Sequence, residues 1–445
     1  IDAAYGQFSA MAFLPLLCLG VYELLAGDWR RWGYAVAGFT LVFQTHILSA
    51  VWSALFILAA ALVMIRNLRQ KERLLACLKA AGMIFLLNLW FLLPMVYMMG
   101  EPMNLEILYC PFTEYTVPFA LLFKVVPEIG FSTTKEGVKL ENVLPLTIGL
   151  ALLLSNLLLP VSCMKGYRRQ EQFGQMRKKA WALLAWGGVM VLFVSRIMPW
   201  KALARITLLD QFFSYSQFPW RFLAFALVFL SMSGGAAVVM AAEELKAKQV
   251  IYAAAFLAAL LPMASFLDGR NQEHVQIRQT EIIDSTMIAS GEYLYSGTEI
   301  YNLPERAGKV TVSDEGIVIG NFTQDGSHIS FEYDASALSG DGYGEVPLLY
   351  YPGYKAQING EEVPVERGGE NTVRITLPAG SRGEVALSYQ GKISWNLSFY
   401  ISAASFLGWA GWSWVKRRRK VAGFSDVSQL PAADGYSGED HKGQA

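Results

Sequence analysis

Cysteine and histidine are scarce in this chain. Cys18, Cys77, Cys110 and Cys163 stand far apart with no two at metal-ligand spacing, so neither a disulfide framework nor a thiolate zinc site follows from them. His46, His274, His328 and His441 are equally dispersed, so a three-histidine metal centre is not expected and no cofactor is implied. Charge is sparse as well. Only 17% of the residues are Asp, Glu, Lys or Arg, against 53% hydrophobic and a mean hydropathy of +0.32, a balance that points away from a soluble globular protein. The soluble-enzyme signatures are missing too: there is no phosphate-cradling glycine loop, no HExxH pair and no nucleophile elbow. Formal net charge is zero, and nucleic acid is not among the expected partners. The chain opens on Ile1 with no basic leader before its first apolar run, and reads as the C-terminal part of a longer protein.

What the chain has in quantity is long apolar stretches. Nine runs, near 7–26, 33–46, 48–65, 80–99, 143–162, 180–198, 219–241, 249–267 and 397–415, are candidates to cross a hydrocarbon layer about 30 Å thick as helices. Lysine and arginine fall in alternate connections. Arg30 and Arg31 lie in the first, Arg66 to Lys79 in the third, Lys165 to Lys179 in the fifth, Lys246 and Lys248 in the seventh, and Lys416 to Lys420 after the ninth. The positive-inside rule puts these in the cytoplasm, with the even-numbered connections outside. The expected fold is therefore a polytopic α-helical membrane protein of about nine transmembrane helices.

The stretch 268–395 changes character. Apolar and polar residues alternate in Thr372–Leu377 and Glu384–Tyr389, and Asn359-Gly360 between two short apolar runs signals a two-residue hairpin turn. Further turns are expected at 314–316, 325–326 and 340–342. An extracytoplasmic antiparallel β-sandwich inserted before the last membrane helix is predicted. The domain plan is thus a helical region 1–267 with an outer loop at 100–142, a β domain 268–395, a final membrane helix 396–415 and a basic, disordered tail 416–445. Within the outer loop, residues 115–127 are too short to span and carry Pro118 and Pro127, which suits an interfacial or re-entrant helix. Glu101, Glu106, Glu114 and Glu128 are candidate acids there, although most such carboxylates are simply solvated.

Function is best sought around Ser214-Tyr215-Ser216-Gln217-Phe218-Pro219-Trp220-Arg221-Phe222. Pro219 fits the first turn of a helix, where backbone N–H groups lack intrahelical partners, and this places Arg221 in that turn. A cation there opposes the positive end of the helix dipole by roughly some tenths of a kcal/mol, which an anion would offset. Arg196, Lys201 and Arg205 precede it, with Asp210 alone among them opposite in sign. Two readings fit: a site for a phosphate-bearing lipid or sugar donor, or an interfacial belt in which Trp200 and Trp220 sit at headgroup level while the arginines snorkel. Gln217 and Asp210 could orient a hydroxyl or phosphate, and Ser214 and Ser216 could cap the helix. His46 ends an apolar segment on the outer side and is either functional or a hydrogen-bonded helix-end residue. Tyr350-Tyr351-Pro352-Gly353-Tyr354 reads as an aromatic sugar platform or as core packing.

The opening Gly6-Gln7-Phe8-Ser9-Ala10-Met11-Ala12-Phe13-Leu14-Pro15-Leu16, then Thr45-His46-Ile47-Leu48-Ser49 and Gln217-Phe218-Pro219-Trp220-Arg221-Phe222, resemble bacterial membrane proteins described as 6-pyruvoyl-tetrahydropterin synthase-related. These in turn resemble the YfhO-like members of the GT-C glycosyltransferase superfamily, as does Leu348 to Tyr354 followed by Asn359-Gly360. The resemblance covers residues 1 to about 415. It implies transfer of a sugar from a polyprenyl-phosphate donor to an envelope glycan or lipid acceptor outside the membrane. It also implies a catalytic acid in an outer loop upstream of Ile1, and it leads one to expect Glu where this chain has Gln7. Pterin chemistry is not expected, because the dispersed histidines cannot supply its zinc site. The substrate-binding residues this reading selects are Arg221, Gln217, Arg205, Asp210, His46 and Trp220. A transporter or scaffold for lipid-linked precursors is the alternative, and a glycan sensor a third.

Overall fold

The structure, a computed structural model, describes residues 5–104, 109–113, 116–123, 133–134, 137–138, 146–161, 171–272, 294–298 and 306–427. It is mostly helical. All nine apolar runs contain helix: α1 (Tyr5–Leu25), α2 (Gly33–Thr45), α3 (Ile47–Val63), α4 (Lys71–Met98), α5 (Leu150–Val161), α6 (Glu171–Val194), α9 (Phe222–Glu244), α10 (Lys248–Gln272) and α11 (Ile393–Val427). Two short helices, α7 (Trp200–Leu203) and α8 (Thr207–Tyr215), lie between α6 and α9. Among the described residues, three segments are long and apolar enough to cross a membrane: Tyr5–Leu25, Lys71–Met98 and Pro219–Glu244. Ile47–Val63, Leu150–Pro160 and Lys248–Leu260 are apolar but shorter.

Several boundaries differ from the hydropathy reading, each for a local reason. α4 begins at Lys71, because charged residues at a helix end lower hydropathy without lowering helix propensity. In the run from 143 the described residues, which begin at 146, are helical from Leu150, and Gly149 takes φ +83° just before it. α11 continues past residue 415 to Val427, so residues 416–427 are helical, and 428–445 lie outside the described residues. Of the stretch 115–127, expected as an interfacial or re-entrant helix, residues 119–123 form a 3₁₀ turn, and 115 and 124–127 lie outside the described residues. The stretch leading into that turn is pinned to the end of α6, where Val117 N donates to Val194 O (3.1 Å) and Arg196 N donates to Val117 O (2.9 Å).

α9 is apolar on every side and correspondingly central, with Phe222, Ala226, Ala237, Met240 and Ala242 among its buried residues. Polar side chains tie its neighbours to it: Asn156 Nδ2 of α5 donates to Leu230 O (3.0 Å), and Ser233 Oγ of α9 donates to Ala180 O of α6 (2.9 Å). Above this contact Trp52, Phe112, Phe193, Trp200, Phe213 and Phe222 form one aromatic cluster with centroids 4.4 to 6.2 Å apart. α1 and α2 touch backbone to backbone. A Cβ added at Gly20 would fall 2.1 Å from Ala35 N, and one added at Gly38 would fall 2.5 Å from Leu17 N. Small residues at crossings are how helices approach closely when apolar burial between them contributes little. α11 packs on α4, with Ser402 Oγ donating to Leu86 O (2.7 Å), and stacks Trp412 on Trp32 (5.8 Å).

The β domain comprises β1 (Thr311–Val312), β2 (Val318–Asp325), β3 (His328–Asp334), β4 (Gly342–Leu349), β5 (Tyr354–Ile358), β6 (Glu361–Val363), β7 (Val365–Arg367), β8 (Thr372–Leu377) and β9 (Arg382–Tyr389). They form a four-stranded sheet of order β1-β4-β8-β7 and a five-stranded sheet of order β2-β3-β9-β5-β6, antiparallel throughout. Val346, Val373, Ile375 and Leu377 of the first sheet bury against Ile329, Phe331, Val385 and Leu387 of the second, giving one sandwich core. The Asn359-Gly360 turn is as expected: both residues have positive φ, +50° and +86°, and Ile358 pairs with Glu361. The sandwich is joined to the helical region through residues 294–298. Asn104 N donates to Leu294 O (2.7 Å), Ser296 N donates to Pro102 O (2.8 Å), and Asn371 Nδ2 donates to Ser296 O (3.2 Å) and Thr298 Oγ1 (2.8 Å).

Candidate functional site

Three chain segments converge on Arg221. Pro219 starts a 3₁₀ turn, Pro219–Arg221, that leads directly into α9, so the guanidinium stands at the N-terminal end of the central helix. Gln7 comes from the first turn of α1. His46 occupies the single-residue turn between α2 and α3, and Gln217 lies in the loop after α8. Arg221 Nη1 donates to Gln7 Oε1 (3.2 Å) and faces His46 Nε2 at 3.0 Å, while Nη2 donates to Gln217 Oε1. Gln7, which is buried, also returns a bond from Nε2 to the Arg221 carbonyl (3.0 Å), so one amide fixes both the side chain and the backbone of the arginine. Gln217 holds φ +69°, in the left-handed region that costs a non-glycine residue about 1 kcal/mol or more. The strain is stored beside the guanidinium that this glutamine contacts.

Two donors face the His46 ring: Arg221 Nη1 stands at Nε2, and the Ser49 backbone N–H donates to Nδ1 (3.1 Å) as the cap of α3, with Ser49 Oγ 2.8 Å from the same nitrogen.

Trp220 is half-buried with its ring stacked on Phe218 (5.3 Å, 11°), and the Arg221 guanidinium carbon lies 5.5 Å from the Trp220 ring centre and 5.9 Å from that of Phe218. Its indole N–H is buried with no hydrogen-bond acceptor among the described residues. Gln217, His46 and Trp220 are thus brought to Arg221, as the sequence suggested. Asp210 is engaged elsewhere: Tyr109 Oη donates to its Oδ2 (2.8 Å) and Ser214 Oγ to its Oδ1 (3.4 Å). That bond to Asp210 raises the Tyr109 phenol above its ordinary value. Arg205 is exposed, and no contact among the described residues ties it to Arg221. Ser214 and Ser216 do not cap the Pro219 turn; Ser216 Oγ donates to Phe212 O (2.9 Å) instead. Of the candidate acids, Glu101 accepts from Tyr295 Oη (3.3 Å), whereas Glu106, Glu114 and Glu128 lie outside the described residues.

Gln7 is the member that sequence reasoning did not select. Its nearest signal was its place in the opening motif, but nothing in spacing brings position 7 to a residue 214 positions away. Among the described residues no group of three or more His, Cys, Asp or Glu could hold a metal ion. No family model matches the chain, and comparisons with curated proteins and with solved structures give no match either.

Proposed function

We propose that this chain belongs to an integral membrane glycosyltransferase of the bacterial plasma membrane. In this reading about nine helices cross the bilayer, the β-sandwich lies outside, and a sugar passes from a polyprenyl-phosphate donor to an envelope acceptor. The observation that carries it is the placement of Arg221, held by Gln7, His46 and Gln217 at the start of the central helix. A guanidinium presents planar donors that suit phosphate oxygens, and one already oriented by neutral acceptors needs little reorganisation as charge builds on a leaving phosphate. The nearby helix N-terminus favours the same ligand charge. The buried Trp220 N–H is a further donor that an acceptor oxygen would satisfy. The alternation of Lys and Arg between connections supports the orientation. The sugar-transfer step itself is supported by the sequence resemblance.

The test is transfer from a polyprenyl-phosphate sugar by the full-length protein in membranes, with release of free polyprenyl phosphate as the readout. Arg221→Ala is expected to lower turnover by roughly 100-fold or more at normal expression, and Arg221→Lys to recover little of it because lysine lacks the planar fork. Wild-type activity in Arg221→Ala would remove the assignment. Movement of an intact lipid-linked sugar without release of the carrier would favour a transporter or scaffold.

A further inference from the structure

Between the lower end of the sandwich and the ends of two apolar helices lies an open pocket of about 530 Å³. Met98 at the end of α4 and Trp395 at the start of α11 form one side, Met103 bridges to the outer loop, and Tyr351, Tyr354 and Tyr389 close the other. Tyr354 and Tyr389 meet edge to face at 5.1 Å where the sandwich core opens, so the pocket continues the core downward. Its lining is mainly carbon with phenol edges, and methionine and aromatic rings accommodate flexible apolar chains. A cation lies near the lining residue Trp395. Lys392 lies one turn before Trp395, and its Nζ sits 3.7 Å from the Tyr97 ring centre, which itself packs 5.6 Å from Trp395. Below the pocket the surfaces of α4 and α11 expose Leu93, Val96, Leu397, Tyr400 and Ile401. Pro94 and Met98 of α4 and Trp395 of α11, which line the pocket, stand next to these exposed positions along the two helices.

We propose that this pocket is a binding site for an anionic phospholipid, one acyl chain entering between Trp395 and Tyr354 and the phosphate meeting Lys392. The exposed helix positions next to the lining supply the route, the tyrosine and methionine lining supplies the burial, and the lysine fits the headgroup charge. A free glycan fits less well, because few polar atoms point inward to replace its hydration. The inference rests on the reading that α4 and α11 lie in a bilayer, and does not depend on sugar transfer.

The full chain would be placed in nanodiscs containing phosphatidylglycerol with a diazirine in the acyl chain, irradiated, and the labelled residues mapped by mass spectrometry. Label is expected on the peptides bearing Met98, Tyr351 and Tyr354. Ser327→Trp, which fills the pocket from its rim, is expected to lower pocket labelling roughly tenfold, and Lys392→Gln to lower it severalfold relative to phosphatidylcholine carrying the same probe. Label on the bilayer-facing parts of α4 and α11 without label in the pocket would overturn the site while leaving the membrane reading intact. Equal labelling by both lipids in wild type would overturn the role of Lys392. Protection of the pocket by a soluble oligosaccharide would replace the lipid with a glycan. Because Ser327→Trp could disturb folding, the surface variant Lys392→Gln is the second, independent measure.

Discussion

Nη1 of Arg221 lies 3.0 Å from Nε2 of His46, a permanent donor facing a nitrogen that can accept only while it carries no proton. The pair works only while the imidazole is neutral. Protonation would set N–H against N–H across that distance with two positive charges, so the same contact that positions the arginine makes the site sensitive to acid.

The first prediction concerns pH. A protonated ring offers Arg221 Nη1 no acceptor, so acid that charges the imidazole removes the contact. Thermal unfolding followed between pH 7 and pH 5 should show a falling Tm, and a flatter profile in His46→Asn, which keeps an acceptor but does not titrate. Identical slopes in the two proteins would refute it.

Gln7 should be a positioning residue. Gln7→Ala removes one donor and one acceptor and leaves the Arg221 carbonyl short of a partner, a cost of about 1 to 3 kcal/mol. Gln7→Glu should instead pair with the guanidinium, raising thermal stability while weakening phosphate binding. Binding of inorganic pyrophosphate to the purified protein at two ionic strengths separates these outcomes.

The crossing of α1 and α2 leaves no space for a side chain. Gly20→Leu forces the helices apart at a point where even a Cβ would lie 2.1 Å from Ala35 N. Loss of folded protein after detergent extraction is expected, with destabilisation of about 3 kcal/mol or more. The control is Gly82→Leu on α4, where a Cβ meets nothing within 4 Å, and which should leave the yield unchanged.

Within the sandwich the buried Glu345 carboxylate accepts from Gly369 N (2.8 Å), Thr372 Oγ1 (3.0 Å) and Arg374 Nη2 (2.6 Å). Burial favours its neutral form, but the Gly369 N–H, Arg374 and Thr372 together outweigh that and hold it below the usual carboxylate range. Its stabilisation is present above the unfolded value and is lost as pH falls through the lower folded one. Glu345→Gln should cost about 3 kcal/mol by leaving Arg374 unpaired. Faster amide exchange in β4 and β8, with α1 to α4 unchanged, would be its signature.

Much of this architecture was legible in the residues. Apolar length marked every helix that carries one of the nine runs, Pro219 marked the start of the turn that leads into α9, and Asn359-Gly360 marked its hairpin, because each is a local property of a few adjacent side chains. The site was legible only in part. Gln217, Trp220 and Arg221 are neighbours in sequence, but Gln7 and His46 reach them by tertiary packing that no local signal encodes. Asp210 looked like the natural partner of nearby cations, yet the turn of α8 aims it at Tyr109 and Ser214. The left-handed backbone of Gln217 was invisible for the opposite reason, since glutamine has no preference for that conformation and is held there by its surroundings.

One joint in the β domain has a mechanical meaning. Gly353 holds φ +119°, and a Cβ there would lie 2.6 Å from the Cα of Gly391, two residues before α11 begins. With main chain pressed on main chain and Gln390 N bonded to Gly353 O at 3.0 Å, there is no slack for a swivel. The β domain and the last helix therefore meet main chain to main chain, so that a load on the strands is handed to the root of α11 before any side chain yields.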